Sequence, residues 1–502
     1  MAIRRYFASK DNTITNAFKE DLQTRGTGSN MGASDILEAF VIHGQTSASV
    51  NATNAEQARI LIQFPINQII QDIATGSLPS SSVSYYLKMC NAPHGGTTPL
   101  SYSLDVAVVR GASWNEGRGL DMDNYTDLGS SNWIEATDSK NWDGAGGDYY
   151  LTSDYSASYF FSGGLEDLEL NVDFAIEKWR DNPATNYGFL IKHQNSVISG
   201  NEGTFFTKKF FSRTSDFFFK RPYIEARWDS SRKDNRANCF LSSALAPSAD
   251  NINTIFLYNN IRGRLKDIPN LTQPGPSGQG QKLLVGFYSS SAGAPTGSKL
   301  KGIDENGNIV SHVTGGLLID KDINITGTYS CSFGITSSFD YVHDVWFSGS
   351  GASQVDYFTG SIVPVPMSAS YVLYDNEYTT DITNLKDSYI RGHKPRLRVF
   401  ARKKNWQPNI YNVATADIEP EIIESAYYRL SRTIDNMEII PFGTGSDHYT
   451  QLSYDVSGNY FELDTGLLEP GYSYDIQFVY HVQDRYQQQP EIFKFRIEEE
   501  TP

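Results

Sequence analysis

The chain has 502 residues and a formal net charge of -16, with 30 Tyr and 28 Phe beside only 6 Met. A single core stops growing well below this length, so we expect two to four domains of roughly 100 to 200 residues each. The acidic balance disfavours a broad nucleic-acid-binding surface, because such a surface repels the phosphate backbone.

Residues 1–32 are polar and rich in Asn, Thr and Gly, without a sustained apolar period. We expect an extended N-terminal arm here, either docked on a neighbour or disordered. Met1–Phe7 is followed by Lys10 and Asp11 instead of an apolar run, which predicts no secretory signal peptide. No stretch approaches the ~18 apolar residues of a membrane span, so we expect no membrane contact.

Short apolar segments separated by turn-forming residues begin after Ala33. Residues 58–64 and 100–109 are continuous or alternating in apolar character, which predicts β-strands. Between the early strands, residues 66–73 carry apolar side chains at helical spacing. This segment predicts a short helical crossover.

A succession of motifs covers residues 33–229. In chain order they are Trp114-Asn-Glu-Gly117, Val172 to Trp179, Asn186-Tyr-Gly-Phe189, Phe211-Ser-Arg213 and Arg221-Pro-Tyr-Ile224. This order resembles the DNRLRE-type jelly-roll domain. The resemblance implies a jelly-roll sandwich over 33–229, and it supports a fold far more than an activity.

Large aromatic residues and glycines in these motifs fit scaffold roles. Trp114 and Trp179 offer apolar area to a sandwich core, and Gly117 and Gly188 permit close or unusual backbone. The insert at 120–148 is longer and more acidic than the family core requires. The insert carries five carboxylates that could gather around calcium: Asp121, Asp123, Asp127, Asp143 and Asp148. The regular calcium-binding loop with Glu at its twelfth position is missing, so we expect a solvated acidic loop.

The remaining chain predicts two further β units. Residues 230–252 indicate a linker, 253–366 a second β-sandwich, and 367–502 a third β domain. In the last of these, the segment 468–476 resembles the turn and strand found late in immunoglobulin-like and fibronectin-like folds. The predicted fold class is therefore all-β: tandem β-sandwich domains, with an N-terminal jelly roll, a central sandwich and a C-terminal Ig/fibronectin-like sandwich.

Residue patterns for catalysis or cofactor binding are missing from the sequence. Neither Gly-x-x-x-x-Gly-Lys nor a strand followed by Gly-x-Gly-x-x-Gly occurs, and the eight histidines are scattered without metal-ligand spacing. Cys90, Cys239 and Cys331 lie far apart and leave one thiol over, so we expect reduced cysteines. We predict no catalytic residue, no cofactor and no metal, and thus not an enzyme.

Tyrosines after the acidic insert are candidates for contact with a glycan or a protein partner. Aromatic faces stack on sugar rings, although packing within a Tyr-rich sandwich explains the same residues. The candidates are Tyr149, Tyr150, Tyr155 and Tyr159, beside Phe160.

The whole chain resembles virion structural proteins of tailed phages, particularly of marine contractile-tailed phages, and the segment 4–18 is similar to the start of several of them. The resemblance implies a non-enzymatic component of the neck, tail, baseplate or head, assembled in the host cytoplasm. Its partners would be other virion proteins, in a homo-oligomer or symmetric assembly, with no nucleic acid. Two alternatives stay open: a glycan-binding adhesin or receptor-binding protein that contacts a host-surface glycan, and a polysaccharide hydrolase or lyase.

Overall fold

The protein is described from a computed structural model. The described residues are 2–43, 55–95, 100–111, 113–122, 126–127, 129–199, 205–269, 271, 282–289, 294–320, 323–336, 339–365, 378–407 and 420–499. The chain divides into two compact units, Ile3–Trp228 and Asp229–Pro502, the latter with the first two residues. Regular structure in both is mostly β-strand, arranged in several sheets. This confirms the all-β prediction of tandem β-sandwich domains.

The first unit consists of strands with three α-helices in the described residues. In chain order its elements are β1 (Ile3–Phe7), β2 (Lys10–Thr15), β3 (Ile36–His43), β4 (Ala55–Gln63), α1 (Ile66–Ala74), β5 (Ser84–Met89), β6 (Tyr102–Val108), β7 (Glu135–Thr137), β8 (Lys140–Asn141), β9 (Ser156–Phe161), β10 (Leu168–Asn171), α2 (Asp173–Asp181), β11 (Phe189–His193), α3 (Asn195–Ile198), β12 (Phe205–Phe211) and β13 (Tyr223–Arg227).

Two antiparallel sheets carry the first unit. One has four strands in the order β1-β13-β5-β10. The other has seven strands along β12-β3-β4-β11-β6-β9, with β2 also paired to β4. Alternation in β6 buries Tyr102, Leu104 and Val106 on one face, as a half-buried strand requires. The predicted helical crossover is confirmed by α1, which buries Ile66 and Ile69.

The segment expected to be an N-terminal arm is part of this unit. β1 pairs with β13 and β2 pairs with β4, so the arm prediction is wrong for residues 3–15. The polar composition of residues 3–15 did not predict strands, because polar segments usually lie in solvent. Here the polar side chains are buried and have hydrogen-bond partners. Asn12 Nδ2 donates to Ser131 O at 2.9 Å, and Thr15 Oγ1 donates to Gln57 O at 2.8 Å.

The first part of the second unit is one long sheet with small accessory pairs. Its strands are β14 (Cys239–Phe240), β15 (Asn253–Tyr258), β16 (Asn260–Ile261), β17 (Arg264–Leu265), β18 (Leu283–Ser289), β19 (Lys299–Leu300), β20 (Gly302–Ile303), β21 (Ile309–Val310), β22 (Val313–Asp320), β23 (Ile323–Phe333), β24 (Val342–Ser348), β25 (Val355–Ile362) and β26 (Pro364–Val365).

Strand order in this sheet is β15-β23-β22-β18-β24-β25, with β19 added to β18. The sheet packs against an apolar core that includes Val285, Phe333 and Trp346. The expected linker at 230–252 is not a free hinge. Within it, β14 pairs in parallel with β26, and Arg236 Nη1 donates to Asp344 Oδ1 of β24 at 2.6 Å.

The C-terminal part of the second unit is a sandwich of two sheets. Its strands are β27 (Tyr378–Ile382), β28 (Ser388–Ile390), β29 (Arg396–Lys403), β30 (Ala426–Arg432), β31 (Met437–Ile440), β32 (Ser453–Asp455), β33 (Gly458–Glu462), β34 (Ser473–Val482), β35 (Arg485–Gln488) and β36 (Phe493–Glu498).

The sheets β27-β29-β33-β32 and β28-β36-β34-β30-β31 face each other through aromatic rings. The rings of Tyr428 and Phe461 stack with centroids 4.4 Å apart. Tyr474 Oη donates to Glu469 O at 2.7 Å and accepts from Glu469 N at 2.9 Å, which fixes the turn before β34. A tyrosine bonded to backbone just upstream is the corner found in immunoglobulin-like sandwiches.

The predicted boundary at 366/367 falls in residues 366–377, which lie outside the described residues. Among the described residues, no helix is long and apolar enough to cross a membrane.

Candidate functional site

Two of the sequence motifs of the first unit meet in space at one ion pair. Arg213 Nε and Nη2 donate to Glu116 Oε1 and Oε2, each at 2.5 Å. Asp11 joins them, because its backbone N donates to Glu116 Oε1 at 2.8 Å and its Oδ2 accepts from Arg213 N at 2.7 Å. The group therefore ties β2 to the Trp114-to-Gly117 turn and to the turn after β12.

The other motif residues are scaffold. Trp114 Nε1 donates to Tyr187 O at 2.8 Å, and the ring of Trp179 lies 4.9 Å from that of Phe189. Gly188 has φ +85°, and a Cβ built on it would lie 2.2 Å from Ile62 O. The backbone there approaches β4 too closely for a side chain.

The acidic insert packs on the first unit instead of standing in solvent. Trp133 and Trp142 are buried in a cluster with Leu61 of β4 and Leu190 of β11. Leu190 alternates with Phe189 along β11, so this cluster covers the face of the seven-stranded sheet opposite to Phe189. The prediction of a solvated loop is wrong for this part of the insert, because its two tryptophans supply apolar area.

Carboxylates of the insert serve mainly as backbone acceptors. Asp148 Oδ2 and Oδ1 accept from Asp143 N at 2.8 Å and Gly144 N at 2.9 Å. Asp127 Oδ2 accepts from Arg118 N at 2.6 Å. Residue 123, one of the predicted calcium candidates, lies outside the described residues. Over the described ranges, no group of three or more His, Cys, Asp or Glu is placed to hold a metal ion.

Two of the four candidate tyrosines come together. The rings of Tyr150 and Tyr155 stack with centroids 4.6 Å apart, and Lys178 Nζ lies 3.5 Å from the Tyr155 centroid. Lys178 also donates to Asp154 O, which fixes the ammonium over the ring. Tyr150 is exposed, so this stack presents an aromatic face to solvent.

The other two tyrosines point elsewhere. Tyr149 packs on the insert cluster, with Arg59 and Lys192 near its ring at 5.7 and 5.4 Å. Tyr159 contacts Phe161 edge-on at 4.8 Å, and burial raises the pKa of Tyr159. Four tyrosines that are close in sequence therefore do not form one platform.

An exposed sheet edge in the second unit is the feature that sequence reasoning missed. β25 ends the strand order of the central sheet and pairs only with β24 among the described residues. Exposed apolar side chains lie on and just after it, at Val355, Phe358, Val363 and Val365. We call this strand, Val355–Ile362, the β25 edge. Its strand signal was visible in the sequence, but its place at the end of a sheet was not.

Burial shifts the pKa values of the cysteines and of the most buried histidine. Burial raises the pKa of Cys90 to about 11 and that of Cys239 to about 12, so both thiols are neutral near pH 7. Burial lowers the pKa of His193 to about 4, and its Nε2 lies 3.3 Å from Ala39 O.

No family model matches this chain, and a comparison with curated proteins gives no match. Among solved structures, the chain has a weak similarity to trypsin-activated alpha-2-macroglobulin from Escherichia coli. The sequence identity is 8% and the TM-score is 0.17, with 93% of this chain and 29% of that chain covered. The chain thus spans less than a third of the length of that protein.

Proposed function

We propose that this protein is a non-enzymatic structural component of a tailed-phage particle, and that it works by protein–protein assembly. The observation that carries the proposal is the β25 edge. An exposed strand of eight residues with apolar side chains offers unpaired backbone groups to a further strand. The resemblance of the sequence to virion proteins supplies the setting.

Assembly at the β25 edge would proceed by strand addition. An extended segment of a neighbouring virion protein pairs its backbone with β25, and side chains such as Phe358 bury apolar area against it. Each such contact is small by itself. In a symmetric particle the contacts are repeated, and multivalency makes a weak contact durable.

Particle purification tests this role. Phage particles are banded on a density gradient, and the chain is quantified by mass spectrometry against a known major virion protein. The proposal predicts that the chain co-migrates with intact particles at a constant copy number. Its recovery only at the top of the gradient, as free protein, would contradict the proposal.

A second candidate function is glycan binding, which the exposed Tyr150–Tyr155 stack favours. A glycan array on the wild type and on Tyr150→Ala and Tyr155→Ala tests it. Tyr341→Ala removes a comparably exposed ring in the other unit and serves as the control. Glycan binding at the stack requires signals that both test variants lose and the control retains.

A further inference from the structure

A small polar pocket lies in the second unit beside β29 and β33. Its walls come from the segment after β13, from Asp320 at the end of β22, and from the C-terminal sandwich. It has a volume of about 70 Å³, which at roughly 10–15 Å³ per water-sized group has room for about five to seven such groups. We call it the Arg396 pocket.

Charges at the pocket form two pairs. Arg396 Nη2 and Nε donate to Glu462 Oε1 at 2.8 and 3.2 Å, and Arg232 Nη2 donates to Asp320 Oδ2. Burial acts to raise the pKa of Glu462, but the hydrogen bond from Arg396 and its charge lower it, so this carboxylate is ionised. Among the described residues that line the pocket, two cations balance two anions. A neutral ligand is therefore preferred over an anion or a cation.

Each pair places donors next to acceptors. A guanidinium has five N–H donors and a carboxylate has four lone-pair positions, so neither group is saturated by the pairing. Adjacent hydroxyls of a sugar both donate and accept, and they match such a donor–acceptor pair. Ser453 and Gln451 add neutral polar groups to the wall.

We propose that the Arg396 pocket binds the edge of a neutral hexose ring through its hydroxyls. The enclosed volume accommodates several hydroxyls but not a whole oligosaccharide, so the rest of the glycan would extend into solvent. This site is distinct from the Tyr150–Tyr155 stack, and it does not depend on the assembly role.

Saturation-transfer difference NMR on the full chain tests the proposal. The probes are the methyl pyranosides of glucose, galactose and mannose at millimolar concentration, with sulfate as a competitor. We expect saturation of the ring protons of at least one glycoside, unaffected by sulfate. No transfer to any of the three, or displacement by sulfate, would overturn the proposal.

A matched pair of variants locates the binding. Arg396 and Arg398 both lie over the Tyr460 ring, at 4.9 and 4.8 Å, and each is paired with a carboxylate. Arg396 lines the pocket, whereas Arg398 is not among its lining residues. Arg396→Ala is expected to weaken binding about tenfold, because it removes charge-assisted hydrogen bonds. Arg398→Ala is expected to leave binding unchanged, and equal effects of the two would overturn the assignment.

Discussion

Glu116 and Arg213 form a bidentate ion pair in which both nitrogen–oxygen distances are 2.5 Å. The residues stand 97 positions apart and belong to two separate sequence motifs. Asp11, in a stretch that looked like a flexible arm, completes the group through its backbone N and its carboxyl Oδ2. The motifs thus specify one structural connection in the first unit.

Glu116→Gln should destabilise the first unit. A glutamine has a single carbonyl oxygen, so it can no longer accept from both nitrogens of Arg213 as well as from Asp11 N. Loss of a charge-assisted, partly buried pair should cost about 2 kcal/mol of unfolding free energy. Urea unfolding of the full chain, followed by hydrogen exchange resolved to each unit, measures this. Glu462→Gln, in an exposed pair, should cost less than about 0.5 kcal/mol. Equal losses of unfolding free energy in the two variants would show that the Glu116 pair stabilises the protein no more than an exposed pair does.

The first unit should become less stable as the pH rises from 4 to 7. Burial raises the pKa of Asp11 from 3.8 to about 7, against the hydrogen bond from Arg213 N, and the charge of Glu116 raises it further. Over this window the folded protein keeps a proton that the unfolded chain has released, so stability is highest below the unfolded pKa and falls toward pH 7. Linkage limits the contribution to about 4 kcal/mol.

Asp11→Asn should remove most of this pH dependence. Asparagine is a neutral mimic of the protonated carboxyl and does not titrate. Unfolding free energies of wild type and variant between pH 4 and pH 7.5 give the comparison, since other groups titrate equally in both. Parallel pH profiles would show that Asp11 does not hold its proton in the folded state.

Gly188→Ala should unfold or strongly destabilise the first unit. The residue has φ +85°, and the added Cβ would lie 2.2 Å from Ile62 O, which belongs to a sheet backbone that cannot move away. We expect a loss of at least about 3 kcal/mol, from left-handed strain together with overpacking. Gly307→Ala has a similar φ of +82°, but no atom of the described residues lies within 4 Å of the added Cβ, so strain alone should cost about 1 kcal/mol. Thermal unfolding of both variants separates the cost of left-handed strain from the cost of overpacking.

Phe358→Lys should reduce assembly without affecting the fold. The side chain is on the β25 edge and is exposed, so the substitution removes apolar area from a docking strand and adds a charge that opposes strand addition. Incorporation into particles, measured by complementation with the variant gene, should fall at least about tenfold. Ile309→Lys changes a more exposed apolar residue away from that edge and should be incorporated normally. Normal incorporation of Phe358→Lys would remove the β25 edge from the proposal.

Local patterns in the sequence predicted much of the fold. Apolar alternation in β6 and helical spacing in α1 reflect the period of each element, which a single segment carries by itself. The first compact unit ends at Trp228, and the final motif supplies its last strand, β13.

Long-range relationships could not be predicted in the same way. β2 is polar in sequence, and its burial depends on Ser131, a partner more than one hundred residues away. The segment at 230–252 resembled a hinge because its anchors, such as Asp344, are equally distant in the chain. The segment between β8 and β9 determines which tyrosines share a face, and the order of strands in the sheet determines the exposure of β25. The periodicity of a single sequence gives information on neither the path of that segment nor the strand order.

Cryo-electron microscopy of intact particles tests the central claim most directly. We expect the chain to be part of the particle, with a strand from a neighbouring protein hydrogen-bonded along Val355–Ile362. A particle map without this chain, or one in which β25 faces solvent in every copy, would contradict the proposed assembly role.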